Sequence, residues 1–467
     1  MTDRAPGLIT DLYELTMAAA YFENGLHHRA VFEMFTRKLP RRRSYLIVAG
    51  IQQALEYLST LCFSGDQIDY LREHSSFKNV SREFFAYLRE LRFTGDVWAM
   101  PEGTAAFGME PLLRISAPII EAQIVETFLL SAINFQTMIA SKASRIVSAA
   151  AGRDIVEFGT RRAHGTEAGL LAARAAYIAG CAGTSNVEAG HVFGIPTFGT
   201  LAHSFVMSFD DEDDAFRAFL NVFPETATVL VDTYDTIAAV KRLARDFGSA
   251  IPAVRLDSGD LLELSKQVRQ ILDDAGMNKT RIFASGDLNE YKIRDLIGSG
   301  AAIDSFGVGT ELATSFDVPA LSGVYKLTAI EENGRMSMRI KLSHDKETYP
   351  GPKQVWRFSD QNGNYVRDLI ALADENVSDT EPHSSRPLLD LMMEQGRMKG
   401  RDNRQQAKQD RWTALSDARN RARGELENLP AELLLLEAEP NYPVGFSERL
   451  IEERENLERK LEGLVNS

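Results

Sequence analysis

Between residues 155 and 310 the chain repeats one rhythm: a short apolar run, a small or polar turn, then an amphipathic stretch. Strand-like pieces fall at 155–158, 195–198, 228–231, 253–256, 281–284 and 303–306, with a weak one at 182–184. Helical patterns at 165–179, 213–223, 236–247, 261–275 and 289–298 separate most of them. In the 261–275 stretch, Leu261, Leu264, Val268, Ile271 and Leu272 recur at helical spacing. Strand–helix alternation demands a parallel sheet with helices packed outside it. About seven units without a break favour an α/β barrel, closed or nearly closed, over an open sheet, although periodicity does not itself fix closure.

The segments on either side read differently. The first part predicts a helix over 8–24, capped by Thr10 or Asp11 and stopped by Gly25. A strand at 31–36, a basic loop at 37–43, a helix near 52–61 and a charged helical region at 66–91 follow. Strands at 94–100 and 112–116 flank a turn at 101–104, and helices are expected over 119–131 and 134–151. After residue 327 the alternation ends. Hairpins are expected around Glu332-Asn-Gly-Arg335 and Asp360-Gln-Asn-Gly363. The stretch 397–423 reads as an exposed helix or arm, and 448–464 as an amphipathic helix. The expected domains are 1–150 (α+β), 151–327 (the barrel) and 328–467 (a small β/α extension).

Composition narrows the function. At 467 residues the chain is too long for one core. A net charge of −14 argues against a nucleic-acid partner. No apolar run is long enough to span a membrane, and the N-terminus lacks a signal-peptide core. Two cysteines, Cys62 and Cys181, build neither a disulfide framework nor a zinc site, which fits a reducing, cytoplasmic setting.

The expected strand ends carry Glu157-Phe-Gly-Thr-Arg-Arg162, Gly183-Thr-Ser-Asn186, Gly199-Thr-Leu-Ala-His203, Asp232-Thr-Tyr-Asp235, Arg255-Leu-Asp-Ser-Gly-Asp260, Ser285-Gly-Asp287 and Gly307-Val-Gly-Thr310. Ligands of parallel sheets bind at the carboxyl ends of strands, though βα turns favour Gly, Ser and Asp for their own reasons. Gly286-Asp287 and Gly307-Val-Gly-Thr310 suit backbone contact with phosphate. Asp287 and Glu290 also make a cap-like pair. Arg161 and Arg255 offer planar recognition of carboxylate or phosphate. Asp257 and Asp260 can accept from sugar hydroxyls or hold a hydrated magnesium ion.

These motifs, with Thr10-Asp-Leu-Tyr-Glu-Leu-Thr-Met17 and Tyr442-Pro-Val-Gly-Phe-Ser-Glu-Arg449, resemble the nicotinate phosphoribosyltransferase family from about residue 8 to 327 and again near the C-terminus. The resemblance implies an irregular seven-unit, TIM-like α/β barrel fused to an α+β domain, as a homodimer sharing its sites. It implies phosphoribosyl transfer from phosphoribosyl pyrophosphate to nicotinate, with ATP hydrolysis coupled through a phosphohistidine and magnesium as cofactor. By resemblance His203 is the phosphorylated residue. Tyr13, Phe158, Arg161, Ser185, Thr200 and Arg255 correspond to nicotinate-binding positions. Asp257, Gly286, Asp287, Gly307, Gly309 and Thr310 correspond to the phosphoribosyl loops. Nicotinamide-using relatives place an aspartate where this chain has Ser185, so an uncharged donor there points to the acid. A nicotinamide- or quinolinate-using enzyme, or a catalytically silent barrel, remains an alternative.

Overall fold

The computed structural model describes residues 5–248, 251–332, 334–342, 348–377, 384–399, 407–437 and 442–465. By contact the chain forms two compact units, one made of residues 1–137 with 320–467 and the other of 138–319.

In the first unit α1 (Leu12–Glu23) follows the N-cap position Asp11 and ends at Asn24 and Gly25, whose φ is +66°. Asp11 does not cap with its side chain; its carboxylate accepts from Thr127 Oγ1 at 2.8 Å. The chain continues through β1 (Arg29–Thr36), β2 (Leu46–Ile47), α2 (Ile51–Thr60), α3 (Gly65–Glu73) and α4 (Arg82–Glu90). Then come β3 (Asp96–Ala99), β4 (Ala105–Ala106), β5 (Pro111–Pro118), α5 (Ile119–Ile124) and α6 (Glu126–Ala149). The break between the last two helices falls at Val125, not near 132–133 as the sequence suggested. All six residues of α5 are buried, so tertiary packing sets its length.

Helix α6 carries the chain into the second unit. There β6 (Asp154–Glu157), α7 (Thr166–Ile178), β7 (Gly183–Thr184), α8 (Val187–Phe193), α9 (His203–Val206), α10 (Glu212–Val222) and β8 (Thr228–Leu230) follow. They lead into α11 (Thr236–Asp246), β9 (Ala253–Leu256), α12 (Leu261–Asp274), β10 (Arg281–Ala284), α13 (Glu290–Gly298), β11 (Ser305–Val308) and α14 (Thr310–Ala313). The six strands pair in parallel in the order β7-β6-β11-β10-β9-β8. The apolar side chains Val156, Val254, Ile282 and Phe306 are buried in it. A seventh strand at 195–198 does not form: Thr197 makes one isolated parallel bridge to Thr184. Pro196 has no amide to donate, and its neighbour strand is only two residues long.

The chain returns to the first unit with β12 (Gly323–Glu332), β13 (Arg335–Met338), β14 (Lys353–Ser359), β15 (Tyr365–Leu372), β16 (Ser384–Pro387), β17 (Asp390–Glu394) and β18 (Arg397–Met398). It ends with α15 (Ala407–Asn428), β19 (Val444–Phe446) and α16 (Glu448–Val465). β12 lies antiparallel on β1, inside an antiparallel seven-stranded sheet ordered β13-β12-β1-β5-β3-β17-β18. Phe32 stacks on Tyr325 across that pair, with centroids 4.8 Å apart. Both expected hairpins form, as β12–β13 and β14–β15; Asn333 of the first turn lies outside the described residues. In the 397–423 stretch, residues 400–406 lie outside them too. The rest is no free arm: Leu415, Ala418, Ala422 and Glu425 of α15 are buried, and Arg421 donates to the Glu102 carbonyl at 2.6 Å. The density of charge hid this face because some of the charges are themselves buried.

Arg357 of β14, fully buried, is one reason. It pairs with Asp368 (Nη2–Oδ2 2.6 Å) and Glu425 (Nη1–Oε2 2.6 Å) and donates to the Ala105 carbonyl at 2.9 Å. Tyr442 also donates to Asp368, at 3.0 Å. Glu110 completes the cluster. Burial, then the Asp368 charge and a hydrogen bond to it, push its carboxyl well above the ordinary range, outweighing Arg357 and the Phe107 amide. The folded protein therefore keeps a proton that the unfolded chain releases, and this contribution to stability falls as pH rises above the unfolded value. Glu110→Gln keeps a donor and removes the titration. Its melting temperature is expected to match wild type near pH 4 and to exceed it by roughly 2–4 °C at pH 8, read by scanning calorimetry; a gap that shrinks with rising pH would contradict the assignment.

Candidate active site

Strand β9 alternates: Val254 and Leu256 are buried, while Arg255 projects from the other face. Its guanidinium reaches three loops. Nη1 donates to Thr200 Oγ1 at 2.7 Å, Nε to Ser285 Oγ at 2.8 Å, and Nη2 pairs with Asp257 Oδ1 at 2.7 Å. Its carbon lies 5.9 Å from the Phe158 ring centroid, and Phe158 packs on Phe283 at 5.4 Å. Ser285 in turn donates to Asp257. Burial alone would raise the Asp257 carboxyl. The Ser285 hydrogen bond and the Arg255 charge outweigh it, and His203 adds to the same field, so the group sits below its ordinary value. Asp257 is therefore a fixed anion at the mouth of the sheet.

His203 opens α9 and is half-buried; its Nδ1 lies 3.2 Å from Thr233 Oγ1 in the loop after β8. In that loop Asp232 Oδ2 accepts the Asp257 amide at 3.1 Å and the Ser258 hydroxyl at 2.5 Å. Its Oδ1 is buried with no hydrogen-bond partner among the described residues. On the other side, Glu157 is fully buried at the end of β6. One oxygen accepts the Gly159 amide, the other accepts Thr184 Oγ1 at 2.6 Å, and its carbonyl accepts the Ser185 amide at 2.9 Å. Burial raises its carboxyl, and those two hydrogen bonds offset this only partly. This clamps the loop bearing Phe158 and Arg161 to the loop bearing Ser185. Arg161 is exposed and Ser185 half-buried, and neither side chain has a partner among the described residues.

The phosphate-type loops are tightly built. Gly286 has φ +101°, and a Cβ there would stand 2.2 Å from the Asp257 carbonyl oxygen. A Cβ on Gly307 would meet Phe283 at 2.7 Å and Phe158 at 2.9 Å. Asp287 itself has φ +45°, and Lys292 Nζ donates to its carbonyl at 2.8 Å. The cap of α13 is Asn289, which accepts from the Lys292 amide at 3.0 Å, so the Asp287–Glu290 capping pair is not used. Gly309 and Thr310 start α14 after β11.

Three polar groups at the strand ends serve as helix caps. Asn186 accepts from Ala189, Asp235 from Ala238, and Asp260 from Leu262 and Glu263. Asp260, expected beside Asp257 as a sugar or magnesium ligand, spends Oδ1 in this way. Ser285, Thr233, Asp232 and Glu157 were not singled out from the sequence as site residues. All four lie inside the strand-end motifs, but the pairing of Ser285 with Arg255 and Thr233 with His203, and the bonds of Asp232 and Glu157 to neighbouring loops, are visible only in three dimensions.

Models of three parts of one family match the chain. The nicotinate phosphoribosyltransferase N-terminal domain covers residues 8–134, the family's central model covers 154–343, and its C-terminal domain covers 352–454. The chain belongs to the nicotinate phosphoribosyltransferase family. It is 47% identical to a nicotinate phosphoribosyltransferase of Mycobacterium tuberculosis, over 96% of this chain and 93% of that protein. It is 42% identical to that of Bacillus subtilis, over 81% and 78%. The crystal structure of human nicotinic acid phosphoribosyltransferase superposes with a TM-score of 0.82 at 28% identity, covering 96% of this chain and all of that one.

Within this family member, Tyr13 lies in the other compact unit, on α1, and is 47% exposed. Partial burial, then Glu126 and Glu14, push its phenol upward. Among the described residues no three His, Cys, Asp or Glu side chains gather around a point that could hold a metal. Magnesium bound mainly through substrate phosphates and water needs only one or two carboxylates. The unpartnered Asp232 Oδ1 fits that requirement. Among the described residues no helix is long and apolar enough to cross a membrane.

Proposed function

We propose that this protein forms nicotinate mononucleotide and pyrophosphate from nicotinate and phosphoribosyl pyrophosphate, in NAD biosynthesis. The observation that carries the proposal is the Arg255 fork, which joins three loops beside Phe158, within a fold of this family. The nicotinate ring nitrogen is already a nucleophile. As the C1–O bond to pyrophosphate breaks, the nitrogen lone pair forms the N–C1 bond, and no general base is required. The residues supply position and charge. Phe158 offers a ring face to the pyridine. Arg255, Arg161 and the Ser185 hydroxyl suit the carboxylate of nicotinate and the phosphates. Thr200 holds Arg255 in place. Asp257 suits ribose hydroxyls, and the loops at Gly286-Asp287 and Gly307-Val-Gly-Thr310 suit the phosphoribosyl group. Asp232 would hold magnesium, which when bound neutralises charge on the pyrophosphate.

ATP is the proposed co-substrate. The His203 imidazole attacks the γ-phosphorus, the P–O bond to ADP breaks, and the phosphoryl group on nitrogen later passes to water. Thr233 orients the ring for that attack. The parallel sheet is proposed to close as an irregular seven-unit barrel, with the Thr197 segment as its seventh, weakest member. Residues 1–150, 151–327 and 328–467 would be its functional divisions. Ile9, Leu12 and Tyr13 are large apolar side chains left exposed on the first unit, which supports a homodimer in which Tyr13 completes the partner's site. Two free cysteines fit a cytoplasmic enzyme.

Three experiments test this. His203→Ala is expected to abolish acid-labile phosphoenzyme and ATP turnover while slow, uncoupled mononucleotide formation persists; labelled phosphoenzyme from the variant would reassign the histidine. Mixing Tyr13→Ala and His203→Ala proteins should restore ATP-coupled activity through hybrid dimers, and no recovery after subunit exchange would remove the shared site. Ser185→Asp should weaken nicotinate use by roughly 2–5 kcal/mol in kcat/KM, since it sets a carboxylate against the substrate's own. Nicotinamide use should change far less; an unchanged acid-to-amide ratio would leave the choice to Arg255.

A further inference from the structure

The two phosphate-type loops share a feature behind them. Glu290 is the first residue of α13, three positions after Asp287, and Glu311 follows Thr310 directly in α14. Both carboxylates turn to one buried ammonium. Lys142 of α6, with a side chain only 1% exposed, has Nζ 2.6 Å from Glu290 Oε2, 3.0 Å from Asp317 Oδ1 and 3.6 Å from Glu311 Oε2. Arg145, three residues along the same helix, holds the other Glu290 oxygen at 3.3 Å.

A bland account makes this a structural ion cluster. Such clusters add little net stability over apolar packing of the same volume, because desolvation offsets the attraction. Glu290 and Glu311, in the first turns of their helices, need no lysine to favour those positions. What they do need is neutralisation. Two carboxylates this close behind loops built to receive phosphate would repel it and cancel the positive potential of the backbone amides. With Arg145 on Glu290, Lys142 offsets most of that field behind both loops at once, and its three contacts also fix the start of α13 relative to α14.

We propose that Lys142 is a positioning and charge-balancing residue for phosphoribosyl pyrophosphate, setting the spacing and the potential of the Gly286-Asp287 and Gly309-Thr310 loops without touching the substrate. This rests on the assignment of those loops to the phosphoribosyl group. Lys142→Met is the main test. Glu290 keeps Arg145, and Glu311 and Asp317 are each about one-fifth exposed, so the fold is expected to survive. The KM for phosphoribosyl pyrophosphate should rise about tenfold, from like-charge repulsion. The KM for nicotinate at saturating co-substrate should stay within about twofold. Adding Glu311→Gln to Lys142→Met should recover part of the loss, which restored packing alone would not do. A variant that melts earlier but keeps the wild-type KM overturns the proposal. Asp287→Ala is the control. If it raises the same KM and Lys142→Met does not, the lysine is only structural; if neither does, the loop assignment itself falls. Should Lys142→Met not fold, Glu311→Gln alone carries the test. With one carboxylate fewer behind the loop, KM should fall about twofold, and an unchanged or higher value overturns the proposal.

Discussion

The site hangs on one planar cation. Arg255 projects from a four-residue strand and bonds to Asp257 in the loop after its own strand and to Thr200 and Ser285 from two other parts of the chain. Five N–H donors in a rigid planar fork let one side chain hold three partners at fixed angles, whereas a lysine's ammonium is a point charge on a flexible stem. The aromatic face of Phe158 lies beside the same guanidinium. Removing the fork would leave Asp257 partly buried without its main counter-charge and would free Thr200, so the loops would lose a common reference.

Polar residues at the strand ends divide into two kinds of work. Asn186, Asp235 and Asp260 satisfy the first amides of helices, which every βα turn requires. Asp232, Asp257 and Ser285 instead bond to one another or to Arg255 across loops. A third group is buried and faces away from solvent: Glu157 clamps two loops together, and Glu290 sits between Lys142 and Arg145. Residue type alone does not separate these roles, because one carboxylate can cap, bind or brace.

That is why the sequence was informative in some places and silent in others. The strand–helix alternation was legible, since apolar runs and 3.6-residue spacing are local properties. The segment at 195–198 has the composition of a strand, yet with Pro196 in it and a two-residue neighbour it gains only one bridge. The charged stretch ending at Arg423, with Glu425 just beyond it, concealed a buried face because Arg421 and Glu425 find partners far away in the chain, Glu102 and Arg357. The candidate site was legible through the ordered motifs that resemble the family. Lys142 was not, because nothing near it in sequence announces that Glu290, Glu311 and Asp317 converge on it.

The pairing of β1 with β12 joins residues 29–36 to residues 323–332. One sheet therefore closes around almost three hundred intervening positions, nearly two-thirds of them a compact body of their own. During synthesis the first strand leaves the ribosome long before β12, one of its two antiparallel neighbours, exists, with Val31, Phe32, Met34 and Phe35 still waiting for their final burial. The parallel body, continuous in sequence, can form in that interval, while the unit built from both ends of the chain must wait for the chain to come back. Maturation of the molecule is thus ordered from the middle outward, and its slowest, most aggregation-exposed moment belongs to the strand made first.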